Sequence, residues 1–345
     1  MVKSIISNQS KQSNFIPTIK LLRQYWIFPS IGATILILEL TLRFAFGLGN
    51  PPLSQADSDT GYRFQPNQKI TRFGKKIEYN QYSQRSEPIN PQKPQEVSRI
   101  LVIGDSVTNG GSPTNQTQTI TEQLESKLSS IGVNFEVLNA SAGSWGIGNQ
   151  LGYLRKFGTF ESNAVVIQIG THDLTQPTST SERVGRNPNY PTHPPLLATQ
   201  ELITRYILPR LFKALKSDSE IPQVSKTERE QQFQQNIRSL KTMVSLIRAK
   251  QIPLIVLFTP SRADLIPTPN TPKYKSEFIQ VLQQLQIPVV DAHTIWSKLP
   301  VATVKSYYRD KVHFNEVGNQ AIADLLSKKL CDNSEFKLCS QNITN

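Results

Sequence analysis

The chain has 345 residues, 37% hydrophobic and 19% charged, a composition that folds and that excludes a disordered or low-complexity class. Its formal net charge is +12, yet the basic residues are scattered, with tight pairs such as Lys75-Lys76 and Lys328-Lys329 and no longer basic run. A nucleic-acid groove wants clustered cations interleaved with aromatics, so no nucleic-acid partner is indicated and the surplus reads as a solvated basic surface.

A polar leader (1–26) precedes "IFPSIGATILILELTLRFAFGL" (27–48), 22 mostly apolar residues. At ~1.5 Å per residue these reach about 33 Å, against a bilayer core of roughly 30 Å. Glu39 and Arg43 interrupt the run at i,i+4 spacing, so they share a helical face and can pair, and Arg43 can snorkel. Lys3, Lys11, Lys20 and Arg23 come before it with no acidic residue until Glu39, while Asp57 and Asp59 follow. The positive-inside rule then predicts one transmembrane helix over 27–48, a cytoplasmic N-terminus and an exported remainder. A buried helix and a cleaved signal peptide are the alternatives. The long leader and the lack of an Ala-x-Ala-like site weigh against the second.

Residues 49–68, rich in Pro, Gly, Ser and Asp, predict a linker or extended surface strap. "KITRFGKKIEYNQYSQRS" (69–86) carries enough Ile, Phe and Tyr for one or two short strands, and "EPINPQKPQ" (87–95) is a second Pro-punctuated linker. A domain over 98–330 follows, alternating short apolar runs with helical periodicity. The runs are 99–104, 134–141, 164–170, 252–260 and 287–293, and the helical patterns 119–132, 149–158, 226–251, 273–286 and 315–330. The long helix should bury Phe233, Ile237, Leu240, Val244 and Ile247, and Asn315 offers an N-cap to the last. Continuous apolar strands alternating with helices predict an α/β fold: a three-layer α/β/α sandwich on a five-stranded parallel sheet. A polar, Pro-rich insertion (174–224) holds Arg183, Arg186, Tyr190 and Arg205, which could shape an acceptor site, a lid or merely a solvated loop. The tail (331–345) contains both cysteines, Cys331 and Cys339, too few for a zinc site and suited to one disulfide in an oxidising compartment.

In such sheets chemistry gathers at the carboxyl ends of the strands. Those ends are Gly104-Asp105-Ser106, Asn139 to Gly146, and Gly170 to Asp173. Ser106 heads a helix, where the dipole aids a nucleophile, but a hydroxyl still needs a base. Of four histidines, His313 lies just before the last helix with Asp310 three residues earlier, an offset at which the carboxylate can accept from Nδ1 and leave Nε2 facing the serine. His193 and His293 lack partners at ligand spacing, so no metal and no cofactor are expected.

These blocks, in this order, resemble the SGNH or GDSL-type hydrolases over residues 98–330. The resemblance implies a flavodoxin-like sandwich with Ser106, His313 and Asp310 as a catalytic triad. "NASAGSWG" matches the second block, with Gly143 as its glycine. The third block is normally Gly-x-Asn-Asp and here reads Gly170-Thr171-His172-Asp173, so His172 stands where the family places an oxyanion-hole asparagine. A ring N–H can replace that amide, and the expected hole comprises Gly143 and His172 with the serine N–H. The implied activity is a membrane-anchored serine esterase acting on an ester substrate, with O-acetyl groups of an envelope or extracellular polysaccharide as one substrate class. An O-acyltransferase using the same site and an inactive binding protein are the competing readings.

Overall fold

The structure, a computed structural model, describes residues 16–215, 225–332, 336 and 338–339. Lys3 and Lys11 of the leader, the end of the insertion (216–224) and most of the tail lie outside them.

Helix α1 (Ile16–Phe44) leads into two antiparallel hairpins, β1 (Ser54–Asp57) with β2 (Gly61–Phe64) and β3 (Gln68–Arg72) with β4 (Lys75–Tyr79). Then come β5 (Val97–Gly104), α2 (Ser106–Asn109), α3 (Ile120–Ser129), β6 (Asn134–Ser141), α4 (Ile147–Phe157) and β7 (Ala164–Gly170). The insertion carries α5 (Ala198–Glu201), a π-helical stretch (202–207) and α6 (Leu208–Leu215). The chain continues through α7 (Lys226–Arg248), β8 (Leu254–Thr259), α8 (Lys275–Gln284) and β9 (Val289–Asp291). Helices α9 (Ala292–Trp296), α10 (Val301–Tyr307) and α11 (Glu316–Asp332) complete it.

The five expected strands pair in the order β6-β5-β7-β8-β9, all parallel. Side chains alternate along a strand, so a sheet covered on both sides needs every position apolar. In β5, Ile100 and Val102 join one core with Leu124 and Leu128 of α3 and Ile322 and Leu326 of α11. Leu101 and Ile103 join the other, with Leu151 of α4 and Phe233, Leu240 and Val244 of α7. The predicted stripe of α7 is buried as expected, and Ser225 and Glu228 cap its start reciprocally at 2.8 and 3.1 Å. Asn315 Oδ1 accepts the Gly318 N–H at 3.0 Å at the head of α11.

Residues 49–68 differ from the expected linker, because β1 and β2 form a hairpin there. Its turn is closed by the Asp57 carboxylate, which accepts from the N–H groups of Asp59 and Thr60 at 3.1 Å each. The same Gly, Ser and Asp content serves a linker or a tight turn, and here side-chain-to-backbone bonding selects the turn. Arg63 of β2 pairs with Asp57 at 2.9 Å across the hairpin, and Lys156 of α4, at 2.6 Å, fastens Asp57 to the domain. Cys331 and Cys339 are joined in a disulfide.

The N-terminal helix also departs from expectation. Among the described residues no helix is long and apolar enough to cross a membrane. Glu39 and Arg43 do pair, at 2.7 Å, but Glu39 is buried and accepts from the Ala198 and Thr199 N–H groups at 2.7 and 3.0 Å, while Arg43 donates to the Leu196 carbonyl. The pair therefore docks the end of α1 on the start of α5, which is why its charges sit inside an otherwise apolar run. Upstream of that dock, Phe28, Ile31, Ile35, Leu36 and Ile37 are all exposed.

Candidate active site

Parallel pairing sets Gly104 of β5 opposite Ser141 of β6, and Ile103 opposite Ile167 of β7, so the three strand-end turns lie side by side. β6 and β7 flank β5 on opposite sides, which opens a crevice at the carboxyl end of β5. Ser106, half-buried, is the first residue of α2, and Asp105 caps that helix by accepting the Val107 N–H at 2.8 Å. The turn into it is tight: a Cβ at Gly104 would lie 2.2 Å from Thr108 Oγ1 and 2.6 Å from Gln168 Oε1. Gln168 accepts from the Asp105 N–H at 3.1 Å and from the Thr108 hydroxyl at 3.0 Å, while Asn139 and Asn109 tie α2 to β6.

His313 arrives on the loop between α10 and α11, 207 residues further along, with Nε2 2.9 Å from Ser106 Oγ. Its Nδ1 lies 2.9 Å from Asp310 Oδ2, and Asp310 Oδ1 accepts the backbone N–H groups of Val312 and His313 at 2.9 and 2.8 Å. Burial works to raise the Asp310 carboxyl, but those two N–H groups and the ring outweigh it and hold it below the usual carboxylate range. The loop is pinned on three sides. Tyr308 bridges to Phe314, the Tyr308 hydroxyl donates to the Pro260 carbonyl at 2.9 Å, and Arg309 reaches Thr114 Oγ1 at 2.9 Å and Gly110 O at 3.2 Å. The expected serine, histidine and aspartate are thus brought into one hydrogen-bonded line.

Gly143 lies in the turn after β6. Its carbonyl accepts from the Tyr62 hydroxyl, a strap residue that the sequence did not single out. A Cβ at Gly143 would meet nothing closer than Tyr62 Oη at 3.6 Å, so packing alone does not demand glycine.

His172 lies in the turn after β7, its ring against Gly170, and its Nε2 is committed to Asp105 Oδ2 at 2.7 Å, with Asp173 Oδ1 at 3.4 Å. Both carboxylates are buried. Burial opposes the charged ring, but Asp173 and Asp105 overcome it and raise His172 well above the ordinary imidazole value, so it is a cation at neutral pH. Asp173 is pushed up, by burial first and then by Asp105. One imidazolium therefore faces two buried carboxylates beside the serine and offsets the charge of one of them. Among the described residues these three are also the group whose ligand atoms, within 4.8 Å of one another, could take a metal ion. The other histidines lie elsewhere: His193 beside Thr192, and His293 against Lys275 at 2.7 Å.

Sequence reasoning did not pick out Gln168, Arg85 or the Asp105–His172 pair. Gln168 had a signal, as the one amide within "AVVIQIG". Arg85, fully buried, donates to the Asn109, Gly111 and Thr114 carbonyls and nothing near it in sequence marks it.

The GDSL-like lipase/acylhydrolase family model matches residues 102–321, well over half of the chain. No curated protein matches in sequence. Among solved structures, the Bacillus subtilis protein YXIM aligns at 13% identity and a TM-score of 0.42, covering 71% of this chain and 59% of its own. A member of the lipolytic G-D-S-L family from Veillonella parvula aligns at 12% identity and 0.42, covering 69% of this chain and all of its own. The alpha/beta hydrolase LAE5 from the metagenome of Lake Arreo, Spain, aligns at 16% and 0.41, covering 69% and 97%. The family match is what carries the assignment.

Proposed function

The chain belongs to the GDSL-like lipase/acylhydrolase family and is an ester hydrolase, and from that premise we propose that it is a serine esterase working through Ser106, His313 and Asp310. The observation that carries this reading is the 2.9 Å approach of His313 Nε2 to Ser106 Oγ, with Asp310 2.9 Å behind on Nδ1. Ser106 Oγ attacks the ester carbonyl as His313 takes its proton, and Asp310 steadies the imidazolium that forms. In this reading the N–H groups of Ser106 and Gly143 are the donors to the developing oxyanion. In the same reading His172 completes the third-block side of the hole, its ring held in place by the bond from Nε2 to Asp105. His313 then returns the proton to the leaving alcohol, water attacks the acyl-enzyme, and the acid departs.

The substrate in this reading is an O-acylated, above all O-acetylated, polysaccharide of the cell envelope or exterior. The same reading holds an exported domain at a membrane surface through α1, whose described apolar side chains are exposed before the Glu39–Ala198 dock. The disulfide suits an oxidising compartment. The test is p-nitrophenyl acetate turnover by the full chain beside Ser106→Ala, with circular dichroism confirming that both fold. Turnover that vanishes with Ser106 is expected, and turnover that survives the substitution overturns the proposal.

A further inference from the structure

Beside the Gly143–Ser144 turn lies a pocket of about 340 Å³ that no element of the five-stranded sandwich builds alone. Its floor is Tyr62 from the strap, one wall is Ser144, and the rest is the first part of the insertion, from Gln176 to Arg183, with Tyr190. Tyr62 links it to the chemistry, because the hydroxyl that lines the pocket also holds the Gly143 carbonyl.

The walls are held rigidly. Asn149 of α4 donates to the Thr60 and Ser179 carbonyls and accepts from the Ser179 N–H, all at 2.8 Å, which clamps the strap and the insertion to one side chain. Close approach is secured by missing side chains: a Cβ at Gly61 would lie 2.0 Å from the Ser179 carbonyl, and one at Gly148 2.1 Å from Thr178 Oγ1. Asn236 of α7 donates to the Gln176 carbonyl at 3.0 Å from behind. The insertion is thus fixed at its start, as a preformed recognition site requires.

The lining decides the ligand. Ser144, Thr178, Thr180, Glu182 and Arg183 line the pocket together with Tyr190, whose ring makes a T-shaped contact with Tyr62 at 4.9 Å and whose hydroxyl lies 3.2 Å from Ser144 Oγ. The Arg183 guanidinium makes no ion pair or hydrogen bond among the described residues. An acyl chain would meet hydroxyls and charges here, whereas a sugar ring offers C–H groups to an aromatic face and hydroxyls to the polar rim. We propose that this pocket is the alcohol-side subsite, seating one sugar ring of an O-acylated glycan beside the Gly143–Ser144 turn. The inference rests on the esterase reading and sharpens it.

The experiment compares the full chain with Tyr190→Ala, Tyr190→Phe and Arg183→Ala on p-nitrophenyl acetate and on a panel of acetylated xylan, acetylated mannan and acetylated glucose. The wild type should hydrolyse at least one of the sugar esters. Tyr190→Ala should lower the ratio of its kcat/KM on that ester to its kcat/KM on p-nitrophenyl acetate by about tenfold, chiefly through KM, with Tyr190→Phe restoring most of the ratio. Arg183→Ala, at an exposed position, should lower the ratio without disturbing the fold. An unchanged ratio in Tyr190→Ala and Arg183→Ala overturns the inference. So does p-nitrophenyl acetate turnover with none of the sugar esters cleaved, and either result leaves the esterase reading standing. Loss of all turnover in the folded wild type would instead remove that reading itself.

Discussion

Replacing His172 by Asn would bring the third block closer to its usual sequence, and the structure predicts that the change is harmful. The ring sits between two carboxylates that are buried to 1% and 0% side-chain exposure, at 2.7 and 3.4 Å. Removing one partner from a buried pair leaves uncompensated charge, which costs about 3–5 kcal/mol. Taking the lower figure, a domain of this size should lose roughly 6–12 °C in Tm. The loss should depend on pH in a defined way. His172 is raised above its unfolded value, so its contribution is complete below about pH 6.5 and fades only as pH climbs through the raised one. Asp173 is also raised, so acid protonates it in the folded variant and relieves the repulsion there. The deficit of His172→Asn against wild type should therefore be largest near neutrality and shrink toward about pH 4. Urea titrations at pH 4.5, 7 and 9 would measure it. A variant within about 0.5 kcal/mol of wild type at pH 7, with no change toward acid, would refute the clamp.

Asp310→Asn should cut kcat by about 10³- to 10⁴-fold through loss of the orienting carboxylate. Its effect on stability should be small, because the carboxylate is nearly half exposed at 46%. Since Asp310 is held low, whatever stability its carboxylate adds is present above the ordinary carboxylate range and lost only as pH falls through the lowered value, which urea titrations across that range would show. Gly104→Ala should cost about 1–3 kcal/mol and lower kcat as well, because the new methyl collides with Thr108 and Gln168 under Ser106; thermal melts and kinetics check both. Cys331→Ser, which opens a loop with a sequence separation of 8, should cost about 2 kcal/mol in urea titrations without touching kcat.

Much of this arrangement was legible in the residues. Strands β5, β7 and β8 announce themselves by apolar runs because both faces are covered, and α7 shows its stripe because only one of its faces is. Ser106, Asp310 and His313 were legible because the strand-end turn and the Asp-x-x-His offset are local patterns, and the sheet brings them together. What local patterns cannot carry is pairing across long separations. Glu39 reads as a blemish in an apolar span until Ala198, 159 residues away, supplies its N–H. His172 stands where the family has asparagine, and its bond to Asp105, 67 residues away, leaves no local signal. The β1–β2 hairpin was missed for a different reason: four-residue strands that are only partly buried leave no periodic signal.

The central claim is that Ser106 is the nucleophile. Its most direct test is intact-mass analysis of the folded full chain after a fluorophosphonate, followed by peptide mapping, beside Ser106→Ala and His313→Ala. The account predicts a single adduct on Ser106, absent from Ser106→Ala and formed far more slowly in His313→Ala. An adduct that persists in Ser106→Ala, or a folded wild-type chain that stays unmodified, would contradict it.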